Sequence, residues 1–324
     1  MATPESRPRQ LEEILRTARR AIVLGVGGGG DVVGAIPTAR FLELFGLSCI
    51  LGGLSWERFV YDPQPGSRSL AEVTNVRPLA PTVWLANAQT ATRTGVRFAE
   101  SHIAALYATE TLLVDLSQGA PGVVAGLRAA MQQLEADLLV GIDVGGDSLA
   151  TGSEPGLRSP LADALMLAAF NRLYDECACL WGVIGYGSDA ELTPAEIDRA
   201  LSILAAHGGL LGAWGITPAV AAELEHVVAH VPTEASALAL ACARGATGTR
   251  WIRGGTRRVE LSPVGSVTFY LSPRVLFEQI AAPARAVQDA PSLAAASDIL
   301  RALGLPSEYA FEQEMLRRGL RQYP

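Results

Sequence analysis

The chain has 324 residues, 49% hydrophobic and 18% charged, a balance that lets it bury a large core and excludes an intrinsically disordered protein. Its formal net charge of −7 argues against a nucleic-acid-binding surface, which would carry a basic stripe, and no run reaches the ~18 apolar residues of a membrane span. All 26 basic residues other than histidine are arginine, which excludes a PLP or Schiff-base lysine, a P-loop lysine and a Ser–Lys nucleophile pair.

In chain order, residues 9–20 carry Leu11, Ile14, Leu15 and Ala18 at helical spacing and lead into a buried strand, Ala21–Leu24. Glycines at 25, 27, 28, 29 and 30 then turn the chain into a helix opening near Asp31, with its body over Val33–Leu44 and a stop at Gly46. Leu47–Leu51 reads as the second strand. The stretch Tyr61–Pro81, with Pro63, Pro65, Gly66 and Pro78, reads as a long irregular loop. Strands at Val83–Ala86, Thr111–Leu116, Leu138–Ile142 and Leu180–Gly185 alternate with helices at Gly95–Tyr107, Gly122–Glu135, Pro160–Tyr174 and Thr193–His207. Gly209–Trp214 is a short strand or turn, and Pro218–Ala229 and Glu234–Ala243 are helices. Arg250–Leu261 and Ser266–Leu271, separated by Ser262–Gly265, predict an antiparallel hairpin, and the remainder is helical. This alternation predicts a Rossmann-like α/β fold: a mainly parallel sheet with helices on both faces and a small antiparallel C-terminal hairpin. No repeat or linker interrupts it, so residues 1–324 read as one domain in which 229–324 is an embellishment.

Chemistry concentrates at predicted strand ends. A helix N-terminus offers unpaired N–H groups, and Gly27, Gly28, Gly29 and Gly30 clear the approach for a phosphate, carboxylate or ribose. Gly25-x-Gly27-x-x-Gly30 has the dinucleotide spacing, but the run from Ser48 through Trp56 lacks the acid expected after the second strand. Asp31 at the helix start would repel a phosphate at the same amides. Asp143 and Asp147 follow the Leu138–Ile142 strand, with Ser148 beside them, and Asp189 follows Leu180–Gly185. Clustered carboxylates can hold a hard cation, activate water or accept hydrogen bonds from sugar hydroxyls. Each acid also has a local reading as a turn or cap residue. Ser159 as N-cap with Asp163 in the first turn explains the Ser159–Asp163 group, Glu191 reads as a surface residue, and Thr233 reads as the N-cap of the helix after it. Arg253 and Arg257 flank a Gly-Gly turn where they can anchor an anion or decorate a strand edge. Cys49, Cys177, Cys179 and Cys242 read as buried free thiols, and His226 and His230 as a solvated helix face.

The segments Gly27–Ala35, Asp143-Val-Gly-Gly-Asp147-Ser148, Gly185–Asp189 and Ile252–Leu261 resemble together a prokaryotic family of proteins of unknown function. The resemblance implies a Rossmann-like fold and one shared site, without naming a reaction.

The leading expectation is a hydrolase or glycosyl-transferring enzyme of N-glycosidic type acting on a nucleoside, nucleotide or related ribosyl ligand. Asp143, Asp147 and Asp189 would be catalytic, and Gly27–Gly30, Asp31, Ser148, Arg253 and Arg257 would bind the ligand. If a metal takes part, Mg²⁺ or Ca²⁺ on Asp143 and Asp147 is the expectation. The alternatives are a non-catalytic nucleotide-binding sensor and a nicotinamide-dependent oxidoreductase. The polar, Pro-containing start of the chain lacks an apolar leader core, so a cytoplasmic location is expected, without membrane or nucleic-acid partners; homo-oligomerisation is left open.

Overall fold

The computed structural model describes residues 8–320. Helix α1 (Leu11–Thr17) leads into β1 (Arg20–Gly25), α2 (Asp31–Glu43) and β2 (Ser48–Leu54), and then β3 (Val73–Ala80) and β4 (Val83–Thr92) pair as an antiparallel hairpin. Next come α3 (Ala99–Tyr107), β5 (Thr111–Val114), α4 (Gly119–Gln133), β6 (Leu138–Val144), α5 (Pro160–Leu173) and β7 (Ala178–Ile184). The chain continues through α6 (Pro194–Ala206), β8 (Leu210–Gly215), α7 (Pro218–Val228), α8 (Ala235–Ala243), β9 (Gly248–Ile252), β10 (Arg257–Leu261) and β11 (Val267–Leu271). Helices α9 (Pro273–Gln279), α10 (Ala282–Val287), α11 (Leu293–Ala302) and α12 (Glu308–Arg317) complete it.

The main sheet has the order β3-β4-β5-β2-β1-β6-β7-β11-β8. Its centre, β5-β2-β1-β6-β7, is parallel throughout. Alternation along the central strands feeds two cores. Ile22, Leu24 and Leu139 point to the face covered by α4, α5, α6 and α9–α11, while Ala21, Val23, Leu138 and Val140 face α1, α2, α7 and α8. From β1 the chain winds outward to β2 and β5, then returns to lay β6 on the other side of β1. The strand order therefore reverses between β1 and β6, and the crevice above their carboxyl ends is where a doubly wound sheet binds ligands.

Two readings of the sequence are corrected here. Residues 73–80, inside the predicted irregular loop, form β3. Its one-sided burial and Pro78 suit the outermost strand of a sheet, where a missing N–H breaks no ladder. The small hairpin is formed by β9 and β10, turning through Arg253–Gly255, all three with positive φ. The predicted pairing partner, β11, instead enters the main sheet antiparallel between β7 and β8, with Tyr270 fully buried against α2.

Candidate ligand site at the strand switch point

The glycine turn and the β6 end meet above the switch point. Val26 N–H donates to the Ile142 carbonyl at 3.0 Å, which ties the turn to the neighbouring strand. Gly28 and Gly29 have φ of +80° and +53°, and a Cβ on Gly28 would sit 2.8 Å from the Trp56 carbonyl, so the turn is built for glycine. Gly29 N–H donates to that carbonyl at 2.8 Å. Asp31 folds back to accept the Gly27 N–H at 3.0 Å, occupying one amide of the turn with its own carboxylate.

After β6, Gly145 and Gly146 adopt φ of +135° and +113°, and the chain closes into a 3-10 turn at Asp147–Leu149. Asp143 organises this loop. Its Oδ1 accepts the Gly146 N–H at 3.0 Å, and its Oδ2 accepts the Ser148 N–H at 3.0 Å and the Ser148 hydroxyl at 2.5 Å. Trp181 Nε1 donates to the same hydroxyl at 3.0 Å. Asp143 and Ser148 therefore lie beneath the cleft floor, whereas Asp147 lines the cleft.

The cleft has a volume of about 710 Å³. Gly27–Gly30, Asp31, Asp147, Asp163 and Asp189 line its base; Thr233–Ala235, Arg253 and Arg257 form one wall; and Leu305–Glu308 with Ala310–Glu312 form the other. Of the residues expected from the sequence to act on or bind a ligand, the structure brings all but Asp143 and Ser148 to the cleft surface. Arg257 Nη1 donates to the Asp189 carbonyl at 3.3 Å and to Glu191 Oε1 at 3.2 Å, and Arg253 pairs with Glu234 at 3.5 Å. Arg58, Arg158 and Arg301 also line the cleft, so arginines border a base of buried acids.

Several local readings give way to longer-range contacts. Ser159 precedes α5 but does not cap it; its hydroxyl donates to Glu191 Oε1 at 2.5 Å, and the Arg158 and Ser159 amides donate to Glu191 Oε2. Glu191 is thus a buried organiser of the cleft, 3% exposed, and not a surface residue. The free amides of α5 are capped from a distance: Leu161 and Ala162 N–H donate to Glu308 at 3.0 and 2.7 Å. Thr233 makes no capping bond to α8 and lies against Gly30, where a Cβ would meet its own at 2.4 Å. Asp163, read as a helix-start residue, is 2% exposed and its Oδ1 has no hydrogen-bond partner.

Burial dominates the electrostatics. It holds the carboxyls of Asp31, Asp147, Asp163 and Asp189 well above the usual range, reinforced for Asp31 by Asp143, for Asp147 by Asp163, for Asp163 by Asp143 and for Asp189 by Glu191. It also pushes Glu57 up to about 7, Glu308 to about 7 and Glu312 to about 8. Glu57, three residues beyond β2, supplies a cleft-lining acid near the position that the sequence left without one, although its Oε1 is engaged by the Ala99 N–H at 2.6 Å. Glu308 and Glu312 reach the cleft from α12, more than a hundred residues from any other acid of the base, and no spacing in the chain connects them with it.

The fold and cleft define an α/β protein of doubly wound topology with an acid-floored, arginine-bordered site at its switch point. The chain belongs to the family described as a protein of unknown function (DUF1152), whose model matches residues 22–316. No curated protein and no solved structure matches it at a significant level. All four cysteines are free, but only Cys179 and Cys242 are buried, while Cys49 and Cys177 are half-buried; no helix among the described residues is long and apolar enough to cross a membrane.

Proposed function

We propose that the protein is a hydrolase or glycosyl-transferring enzyme acting on the N-glycosidic bond of a nucleoside, nucleotide or related ribosyl ligand bound at the switch point. The observation that carries this reading is the lining of the cleft: buried carboxylates beside the glycine turn, together with Arg253 and Arg257. A ligand that offers vicinal hydroxyls and an anionic group suits that lining. The hydroxyls donate to Asp147 and Asp189, and phosphate oxygens accept from Arg253 and Arg257. Asp31 already occupies the Gly27 amide, which favours a neutral sugar over a phosphate at the turn itself.

In the reaction, the bond between the ribosyl anomeric carbon and the base nitrogen breaks, and water adds to that carbon. Asp189 takes the water proton, the base leaves with the bonding electron pair and receives that proton from Asp189 through solvent, and the carboxylates stabilise the positive charge developing on the sugar. Asp143 acts as a positioning residue, holding the loop that presents Asp147. The test is a thermal-shift screen of nucleosides, nucleotides, sugar phosphates and NAD, followed by chromatography of each stabilising mixture. Stabilisation by ribosyl compounds with release of free base is expected. Stabilisation without any turnover would make the protein a sensor, and no stabilisation by any ribosyl compound would refute the reading.

A further inference from the structure

Three carboxylates converge under the base of the cleft from separate elements: Asp143 at the end of β6, Asp147 in the following 3-10 turn and Asp163 in the first turn of α5. One oxygen from each lies within 4.8 Å of the others. Oxygens bound to one ion at 2.0–2.6 Å sit at most about 5 Å apart, so the spacing is that of a shared ligand shell. We infer that Asp143, Asp147 and Asp163 hold one hard divalent cation, Mg²⁺ or Ca²⁺, and that this ion presents its open positions to the ligand in the cleft.

The independent observation is Asp163. Its side chain is buried, and Oδ1 is sealed from solvent without a donor from the protein. A carboxylate in that position costs several kcal/mol unless it is neutralised or coordinated. No hydrogen bond from a described residue reaches the Asp147 carboxylate, whereas most other acids of the cleft base have donors: Asp31 has Gly27, Asp189 has the Glu191 amide and Glu191 has Ser159. Asp143 Oδ1 accepts one N–H, which leaves a lone pair unused.

Three carboxylates are the oxygen donors that a hard divalent cation takes, and waters or substrate oxygens complete its shell. The ion also offsets the mutual repulsion of the buried acids around the glycine turn. A cation beside Gly27 counters their field, and Asp163 Oδ2 lies 3.4 Å from where a Gly27 Cβ would stand. The inference rests on the proposed ribosyl site only for what the ion meets in the cleft, and not for the ion itself.

The test is Mn²⁺ binding to the EDTA-treated, dialysed protein, followed by electron paramagnetic resonance and competed with Mg²⁺ and Ca²⁺. One Mn²⁺ per chain, displaced by Mg²⁺ or Ca²⁺, is expected. Asp163→Asn and Asp147→Asn should each weaken binding by about 10- to 100-fold or more, and Glu225→Gln on the exposed face of α7 should leave it unchanged. Circular dichroism verifies that the variants are folded, which is expected because neither carboxylate anchors the chain. Absence of stoichiometric Mn²⁺ binding, or binding indifferent to both Asp variants, would overturn the inference, as would Mn²⁺ that neither Mg²⁺ nor Ca²⁺ displaces. Ribosyl ligands binding in EDTA to a protein that takes no Mn²⁺ would sink the ion and leave the cleft; Mn²⁺ bound without any ribosyl ligand would do the reverse.

Discussion

Asp143 and Asp163 are neighbouring buried acids with opposite structural duties, and replacing each by asparagine should separate them. Asp143 accepts three donors, Gly146 N–H, Ser148 N–H and the Ser148 hydroxyl. An asparagine can place its carbonyl toward the Ser148 pair, but its NH₂ then faces the Gly146 N–H, donor against donor. A lost bond to a charged acceptor, with a buried amide left unpaired, costs about 1–3 kcal/mol, and the relief of repulsion toward Asp163 and Asp147 offsets part of it. The net expectation is a loss of about 2 kcal/mol. Asp163→Asn breaks no bond to Oδ1 and removes a charge from among Asp143, Asp31 and Glu308, so its stability should be unchanged or higher by about 1 kcal/mol. Urea denaturation in EDTA-containing buffer measures both. An Asp143→Asn protein as stable as the parent, or an Asp163→Asn protein that loses more than Asp143→Asn, would refute the assignment of Asp143 as the loop's anchor.

Glu312 gives a pH prediction. Burial raises it from 4.5 to about 8, so its contribution to stability is complete below its unfolded value and disappears as pH rises through about 8. The shift corresponds to roughly 5 kcal/mol at most. Because Trp56 Nε1 and Gly66 N–H both converge on Oε2, at 3.0 and 2.9 Å, Glu312→Gln can keep both bonds with its carbonyl and should lessen the fall in melting temperature between about pH 5 and 8. An equally steep fall in the variant would place the titrating group elsewhere. Gly28→Val should lower the melting temperature, since φ is +80° and the new Cβ meets the Trp56 carbonyl at 2.8 Å; a variant melting with the parent would contradict the turn geometry. Arg257→Ala should weaken a phosphorylated ligand by about 10-fold and leave its unphosphorylated counterpart unchanged in titration calorimetry; equal losses for both would remove Arg257 from the phosphate.

The parallel core was legible because it follows from local signals, namely apolar runs of strand length, helical spacing, and glycines where the chain turns, whereas the strand order that sets the switch point depends on pairing distant in the chain. The convergence of Gly27–Gly30 with Asp147 and Asp189 followed from that topology, since successive parallel strands deliver their ends to one edge. What the sequence concealed depends on contacts distant in the chain. Ser159 and Thr233 have the residue types of caps, yet Glu308, nearly 150 residues away, caps α5, and Thr233 packs on Gly30. Pro78 disguised β3, because a proline is tolerated only once the strand is known to lie at the edge. Asp163 looked like an ordinary first-turn acid, and only the three-dimensional packing of α5 over β6 shows its carboxylate buried beside Asp143 and Asp147.

The central claim is that the acids at the switch point act on a ribosyl bond. The direct measurement is chromatographic detection of free base from ribonucleosides, ribonucleotides and NAD incubated with the parent protein and with Asp189→Asn, both verified as folded. Base release that falls by about 10²-fold or more in the variant is expected. Absence of base from every ribosyl compound, or equal release by both proteins, would contradict it.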